Sequence, residues 1–232
     1  MKVNKFYYIN LDKRPNRNEH FLQQCTRENI PNEKIKRFTA IDGDSYSFTP
    51  DELKLFEKSD LNNHWFAKRI MGNQLSHHYI MEDIIKNKYP FSVVFQDDAI
   101  LRKSFITYID LLLDNLPNDS EMVNIGFHKY ASGANFIRWD LTSENDHTIL
   151  AQKRLNKQVC ILKDGINPCS LAYIITLKGA QNMVSFFKKN GFLRATDGNF
   201  NDYLQSRKIF YGSTPVLVTG NSDLQSDIFI QS

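Results

Sequence analysis

Short apolar runs alternate with helix-like stretches along the chain, and this alternation restricts the folds that the chain can adopt. The runs are rich in β-branched and aromatic residues and predict strands at residues 6–11, 35–40, 91–95, 122–127, 170–176 and 215–219. The stretches between them predict helices at residues 17–29, 72–88, 104–113, 178–189 and 198–207. Strands that alternate with helices favour an α/β fold, with a mostly parallel sheet covered by helices on both faces.

Several local signals set the predicted boundaries of these elements. Residues 49–52, Thr-Pro-Asp-Glu, predict a helix start, because threonine caps, proline suits the first helical position and Glu52 completes a capping box. Gly72 is interpreted as opening the helix that runs to residue 88, and Ser104 as capping the next one. Residues 190–191, Asn-Gly, predict a helix end. The polar, irregular region 130–167 is expected to hold loops or a hairpin.

Composition limits the class of protein. Of the 232 residues 41% are hydrophobic, which is enough for a core, and the net charge of +3 is too mild to indicate a nucleic-acid partner. No apolar run approaches a membrane span, and residues 1–9 lack the apolar region of a secretory signal. The three cysteines are odd in number and lack Cys-x-x-Cys spacing, so neither a disulfide framework nor a zinc site is expected. We predict one domain over residues 1–232 in the reducing cytoplasm, although a segment of a longer secreted protein would show the same pattern.

The sharpest chemical feature is the pair Asp97-Asp98, directly after the apolar run at residues 91–95. Ligands of open parallel sheets bind beyond the carboxyl ends of the strands, and adjacent carboxylates suit Mg²⁺ or Mn²⁺. Such an ion would bridge the phosphates of a nucleotide and hold the leaving group. On the pattern alone, a solvated strand-to-loop exit is favoured over a metal site. A nucleotidyltransferase would also use paired acids, but no glycine-rich phosphate loop follows the first strand.

Several blocks along the chain resemble those of glycosyltransferase family 25, which includes bacterial lipooligosaccharide sugar transferases and animal collagen galactosyltransferases. The resemblance covers nearly the whole chain, and the blocks occur in the family's order. They are Tyr-Ile-Asn-Leu-Asp-Lys-Arg-Pro-Asn-Arg at 8–17, Arg-Phe-Thr-Ala-Ile-Asp-Gly at 37–43, Gly-Asn-Gln-Leu-Ser-His at 72–77, Val-Val-Phe-Gln-Asp-Asp-Ala at 93–99, Ser-Leu-Ala-Tyr-Ile-Ile-Thr-Leu-Lys-Gly-Ala at 170–180 and Ser-Asp-Ile at 226–228.

The resemblance implies an A-type glycosyltransferase fold and a metal-dependent, inverting hexosyltransferase. Its donor would be a UDP-sugar of the galactose, glucose or N-acetylglucosamine class, and its acceptor a hydroxyl on a glycan or protein. The implied ion, Mn²⁺ or Mg²⁺, would be held by Asp98 and Asp227, with Asp223 as the alternative to Asp227. The implied nucleotide-sugar residues are Asn10, Leu11, Arg17, Asp42, Gly43, Ser76, His77, Gln96 and Asp97. Of these, Arg17 could hold a phosphate through its guanidinium group.

One position departs from the family pattern. The family usually has Glu-Asp-Asp where this chain has Gln96-Asp97-Asp98, and glutamine can hydrogen-bond but brings no charge. This departure leaves open a catalytically silent protein of the same fold that binds a nucleotide sugar.

Asp197 is the candidate general base. Its plain interpretation is a helix N-cap, but family 25 members have an acid near this point, in a segment that faces the acceptor. An inverting transfer needs a base for the acceptor proton; Asp202 is the next candidate, and Gly198 would let a substrate approach closely. Trp65 and Trp139 could stack on a sugar, although core packing is favoured for both.

Two adjacent histidines are expected to play different parts. Ser76 and His77 would lie one turn into a helix opened by Gly72, where free N–H groups attract anions. His77 shares a helix face with apolar residues, so we expect a wall of the donor site rather than an acid or base. His78 is expected at the surface.

Overall fold

The computed structural model describes residues 1–63, 65–127, 151–162 and 169–221, together with residues 224, 227 and 228. The strands are β1 Lys5–Asn10, β2 Ile35–Thr39, β3 Phe91–Gln96, β4 Ala99–Leu101, β5 Met122–Phe127, β6 Ala151–Arg154, β7 Val159–Leu162, β8 Ala172–Thr176, β9 Tyr211–Ser213 and β10 Val218–Gly220. The helices are α1 Pro15–Arg27, α2 Pro50–Leu55, α3 Ala67–Asn87, α4 Phe105–Asp114, α5 Leu177–Asn190 and α6 Thr196–Arg207.

The strands form one sheet in the order β2-β1-β3-β8-β5-β9-β7-β6, and β10 pairs with both β4 and β5. Strand β1 is parallel to β2 and β3, and β8 is antiparallel to both of its neighbours, β3 and β5. Strands β1, β2, β3, β5, β9 and β10 therefore share one direction. The predicted α/β class with a mostly parallel central sheet is confirmed.

Helices cover both faces of the sheet, and each face has its own core. Side chains alternate along β1, so that Phe6 and Tyr8 pack on one face while Tyr7 and Ile9 pack on the other. The first core is closed by α1 and α4. The second is closed by α2, α3, α5 and α6. The sheet thus lies between two layers of helices, as the alternation of strands and helices predicts.

The start of α3 differs from the prediction. The helix begins at Ala67, and Gly72 lies inside it. A Cβ atom at position 72 would lie 2.3 Å from the carbonyl oxygen of Ile41, so this glycine permits close packing against the β2–α2 loop. Gly72, which was interpreted as a helix start, is therefore explained by a tertiary contact inside the helix.

Ser104 does not cap α4 in the predicted way. It has a φ of 63° and its side chain makes no capping hydrogen bond. Instead, Oε2 of the buried Glu28 accepts a hydrogen bond of 3.1 Å from the backbone N–H of Phe105. A carboxylate from the end of α1 thus satisfies the first turn of α4, which no local pattern indicates.

Other boundaries follow the local signals more closely. Thr49 and Glu52 form the predicted capping box, and Gly191 ends α5 with a φ of 78°. The strand predicted at residues 215–219 begins later, at Val218. Within region 130–167, β6 and β7 pair as an antiparallel hairpin, while residues 128–150 and 163–168 lie outside the described part. Among the described helices, none is both long enough and apolar enough to cross a lipid bilayer.

Candidate functional site

A cleft with about 690 Å³ of open space lies at the carboxyl ends of β1, β2 and β3. This is the edge at which open α/β sheets bind their ligands. Apolar and uncharged residues of the lining are Ile9, Leu11, Ala40, Ile41, Gly43, Asn73, Gln96 and Ile228. Charged residues of the lining are Lys13, Arg17, Arg69, Asp42, Asp97, Asp98 and Asp227. The strand ends therefore bring apolar surface together with both signs of charge.

Asn10 joins the ends of three strands beneath this cleft. Its side chain is 1% exposed; Nδ2 donates to Asp97 Oδ2 at 2.7 Å, and Oδ1 accepts from Arg37 Nε at 2.9 Å. Asp97 follows β3 and Arg37 lies on β2, so one amide ties both neighbours to β1. Asn10, predicted to touch the nucleotide sugar, is absent from the cleft lining and lies behind Asp97.

A buried ion cluster lies where α1 begins. Arg17 is 8% exposed, and its Nη1 lies 3.3 Å from Asp97 Oδ1 and 3.2 Å from Asp227 Oδ2. Arg14 Nε donates to Asp227 Oδ1 at 2.8 Å. Burial raises the pKa of Asp97; the hydrogen bond from Asn10 and the charge of Arg17 oppose this rise, and the neighbouring Asp98 adds to it. Arg17 is thus the cation that compensates Asp97 at the cleft wall.

Two further ion pairs form the rim of the cleft. Lys13 Nζ lies 2.6 Å from Asp42 Oδ2, and Arg69 Nε donates to Asp44 Oδ1 at 2.8 Å. The hydrogen bonds from Arg69 lower the pKa of Asp44. These pairs join the β1–α1 turn and the start of α3 to the loop after β2. A Cβ at Gly43 would lie 2.0 Å from the Lys68 carbonyl oxygen, so this loop is pressed onto α3.

Sequence reasoning did not assign Lys13 or Arg69 to the site. Lys13 stands in the same basic turn as Arg17, so the signal for it was present. Arg69 lies one helical turn before Asn73, on the same face of α3, and both line the cleft. With the helix start placed at Gly72, Arg69 could not be put on that face.

Asp98 and Asp227, the expected metal ligands, both line the cleft, as does Gln96, which was expected to bind the nucleotide sugar. Gln96 Nε2 donates to Ser170 Oγ at 3.0 Å, which ties the end of β3 to the residues just before β8. Both oxygens of Asp227 are engaged by Arg14 and Arg17. Within the described ranges, no group of three His, Cys, Asp or Glu side chains is placed to hold a metal ion.

Ser76 and His77 lie deep in α3, because the helix starts well before them. Ser76 Oγ donates to the Gly72 carbonyl at 2.7 Å and accepts from the Ile41 N–H at 3.0 Å. His77 is fully buried, with Nδ1 hydrogen-bonded to the Tyr173 hydroxyl at 2.9 Å, and burial lowers its pKa to about 3. The expectation that both lie at a free helix N-terminus is wrong. So is the expectation that His78 lies at the surface, since it is 2% exposed.

Asp197 lies in the first turn of α6 and is not its N-cap, which is Ala195. Its Oδ1 accepts from the Gly198 N–H at 3.0 Å. The preceding Thr196 accepts a hydrogen bond of 2.9 Å from Nδ2 of Asn73, and Asn73 lines the cleft. The candidate base is therefore one residue away from a direct contact with the cleft wall. Asp202, the alternative base, lies 3.3 Å from Arg194 Nε.

Of the two tryptophans considered for sugar stacking, Trp65 lies in the described part of the chain. Trp65 is 55% exposed, so the expectation that it packs in the core is wrong. The Arg69 guanidinium carbon lies 5.5 Å from the centre of its ring. Trp139, Asp223 and Ser226 lie outside the described residues.

Comparison with known proteins assigns the chain to a family. The family model described as "Glycosyltransferase family 25 (LPS biosynthesis protein)" matches residues 3–197, a range that includes Asp98 and Asp197 but not Asp227. Comparison with curated protein sequences gives no match. Because the family match covers most of the sequence, the chain belongs to glycosyltransferase family 25 and is a glycosyltransferase.

Proposed function

We propose that this transferase uses an A-type fold, in one domain over residues 1–232, to move a hexose from a UDP-sugar to an acceptor hydroxyl with inversion. The donor sugar belongs to the galactose, glucose or N-acetylglucosamine class, and the acceptor hydroxyl is on a glycan or a protein. The observation that carries this proposal is the cleft at the ends of β1, β2 and β3, where apolar surface and buried ionic groups meet.

The cleft has distinct regions that suit the parts of a nucleotide sugar. Ile9, Leu11 and Ile41 supply apolar surface for a flat base. Arg17 and Arg69 supply guanidinium groups, which match phosphate oxygens in fork geometry. Asp98 lies at the end of β3, where it can face the diphosphate that leaves. This combination of apolar, basic and acidic groups in one cleft supports a nucleoside diphosphate donor.

The charge balance of the cleft supports a divalent cation. Among the described residues, its lining carries three cations and four carboxylates, a formal excess of one negative charge, before any ligand arrives. A diphosphate adds negative charge, so a further cation would offset the repulsion. Mg²⁺ is usually held by one or two carboxylates plus phosphate oxygens, so a complete protein cage is not required. Asp98 and Asp227 suit that role; when bound, Mn²⁺ or Mg²⁺ would neutralise charge on the leaving diphosphate.

Asp227 would have to exchange partners in order to meet a metal ion, because Arg14 and Arg17 engage both of its oxygens. A diphosphate offers those arginines a stronger anion, since phosphate oxygens accept bidentate guanidinium bonds. In this proposal, the donor takes the guanidinium groups and releases the carboxylate.

Asp197 supplies the base for the acceptor. The acceptor hydroxyl is a poor nucleophile near neutral pH, and a carboxylate within about 2.6–3.2 Å of it can take its proton as the new bond forms. Asp197 is partly exposed and lies in the first turn of a helix, so a substrate can reach it.

Release of nucleotide from a panel of UDP-sugars, with Mn²⁺ and then with a chelator, tests the donor site without an acceptor. We expect release only in the presence of the ion, and a loss of about a hundredfold or more in Asp98→Asn. Asp51→Asn is the matched control, because Asp51 is an exposed acid that is absent from the cleft lining. Equal release with ion and with chelator would refute metal dependence, and release from no UDP-sugar would refute the donor.

Transfer by Asp197→Asn tests the base. We expect transfer to fall by about a hundredfold to ten-thousandfold, while UDP binding is kept because the cleft lining is unchanged. Asp51→Asn again serves as the control, since Asp51 is also an acid in the first turn of a helix. Its loss should cost a similar, small amount of stability, about 0.3–1 kcal/mol. An Asp197→Asn variant that binds UDP and transfers at the wild-type rate would place the base elsewhere.

A further inference from the structure

Two consecutive amides on α3 hold the first turn of α6. Asn73 Nδ2 donates to Thr196 Oγ1 at 2.9 Å, and Asn199 Nδ2 donates to Gln74 Oε1 at 2.9 Å. Thr196 and Asn199 are three residues apart, so they lie on the same side of α6. The two hydrogen bonds therefore fix both the axial position and the rotation of this turn relative to α3.

Most of this junction is buried and closely bonded. Gln74 is 0% exposed, Asn199 1% and Thr196 2%. Asn199 also accepts from the N–H groups of Leu193 and Arg194, at 2.8 and 3.1 Å, and donates to the Arg194 carbonyl at 2.6 Å. Asn199 therefore bonds both to α3 and to the loop before α6. Because buried polar groups need their partners, this junction has little freedom to shift.

Asn73 differs from the other members, because it is half-buried and lines the cleft. Its hydrogen bond to Thr196 is therefore a direct link between the donor cleft and the residue that precedes Asp197. A general base must lie within hydrogen-bond reach of its proton, and a misplacement of about 1 Å can cost about a hundredfold in rate.

We propose that Asn73 and Thr196 are positioning residues, which hold the Asp197 carboxylate at a fixed place relative to the bound donor sugar. This inference rests on the proposed function of Asp197. It adds that the chain sets the distance between donor and base through one side-chain hydrogen bond from α3 to α6.

The test compares Thr196→Val with Thr196→Ser. Valine has nearly the shape of threonine but cannot accept the Asn73 hydrogen bond, whereas serine can. We expect Thr196→Val to lower kcat for transfer by about tenfold to a hundredfold, with an unchanged KM for the donor and an unchanged rate of donor hydrolysis. Thr196→Ser should restore kcat to within about threefold of wild type. A loss of structure alone would lower the rate of donor hydrolysis together with kcat for transfer, whereas the inference leaves donor hydrolysis unchanged.

Two control variants match the chemistry at other places. Thr26→Val makes the same replacement on the exposed side of α1, where Thr26 Oγ1 donates to the Leu22 carbonyl four residues earlier. Asn73→Ala removes the donor of the same hydrogen bond and should lower kcat for transfer as Thr196→Val does. Asn87→Ala, its control, removes an exposed amide from the far end of α3. Both controls should transfer at the wild-type rate.

A double variant shows whether the link acts through Asp197. In the Asp197→Asn background the base is already lost, so adding Thr196→Val should lower transfer by less than about twofold. Independent multiplication of the two losses would refute the inference, and so would Thr196→Val transfer at the wild-type rate. A wild-type protein that transfers no sugar would instead refute the proposed function, and the inference with it.

Discussion

His77 gives the fold a dependence on pH that can be worked out from its surroundings. Its ring is fully buried between Tyr173 and Phe200, with ring centres 5.7 and 5.6 Å away. Nδ1 bonds the Tyr173 hydroxyl, and among the described residues Nε2 has no hydrogen-bond partner. A proton on this ring would place an uncompensated charge in the core, so burial lowers the pKa from 6.5 to about 3.

The sign and size of the effect follow from linkage. The folded pKa is lower than the unfolded one, so the stability due to neutral His77 is complete above pH 6.5 and is lost as pH falls. By pH 5 the His77 ring of the unfolded state binds nearly one proton, whereas the ring of the folded state stays neutral. The free energy of unfolding should therefore fall by about 2 kcal/mol from this residue alone. Any folded pKa below about 4 gives the same result, because the folded ring is then neutral at pH 5.

Urea unfolding at pH 7 and pH 5 measures this loss. The variant to compare is His77→Phe combined with Tyr173→Phe, which removes both hydrogen-bonding partners and leaves neither unsatisfied. Tyr173→Phe alone is the control, because it keeps the histidine. The pH-dependent loss in the double variant should be smaller than in wild type or control by about 2 kcal/mol. Burial also lowers the pKa of His78, but His78 is present in all three proteins, so its contribution cancels.

An equal loss of stability in the double variant and the wild type would refute the reasoning. It would mean that His77 is solvated or already charged in the folded protein. The absolute stability of the variant does not enter this comparison, since only the difference between the two pH values is used.

Two other outcomes can be measured directly. Gln96→Glu should keep or raise the affinity for Mn²⁺ in calorimetry, because it adds a carboxylate beside Asp98. The new carboxylate can accept a hydrogen bond from the Ser170 hydroxyl in place of the one that Gln96 donates, and weaker binding would indicate a required neutral contact. Thr49→Ala should lower the free energy of unfolding by about 1 kcal/mol in urea titrations with no change in transfer, because it removes the capping box of α2; an unchanged stability would show that packing alone holds this helix.

Elements whose signals are local were predicted well from the sequence. Strand β3 is a compact apolar run, and α2 starts at a capping box, so neighbouring residues suffice to define them. The start of α3 was missed because Gly72 looks like a boundary. In the fold this glycine is needed for contact with Ile41 from another segment, and no local pattern carries that information.

The predictions for the candidate site also depended on whether the signal was local or came from tertiary packing. The rule that ligands bind beyond the carboxyl ends of parallel strands predicts the position of Asp97 after β3, where it accepts a hydrogen bond from Asn10 at the end of β1. The link between Asn73 and Thr196 joins residues 123 positions apart, and it depends on how α3 packs against α6. Such contacts require the packing of the second core, which strand and helix patterns do not determine.

The alternation of side chains along the strands explains how Asp97 and Asp98 come to differ. Tyr8 and Phe95 belong to the core beneath α1, and Asn10 and Asp97 continue those two rows, so they meet each other and Arg17. Ile9 and Val94 belong to the core beneath α3, and the residues that continue their rows, Leu11, Gln96 and Asp98, line the cleft. Asp97 thus joins α1 to the sheet through Arg17 at the wall of the cleft, while its neighbour Asp98 lines the cleft with Gln96 and Asn73. Two adjacent acids of the same type therefore have different partners, because the last residues of β3 before them send consecutive side chains to opposite faces.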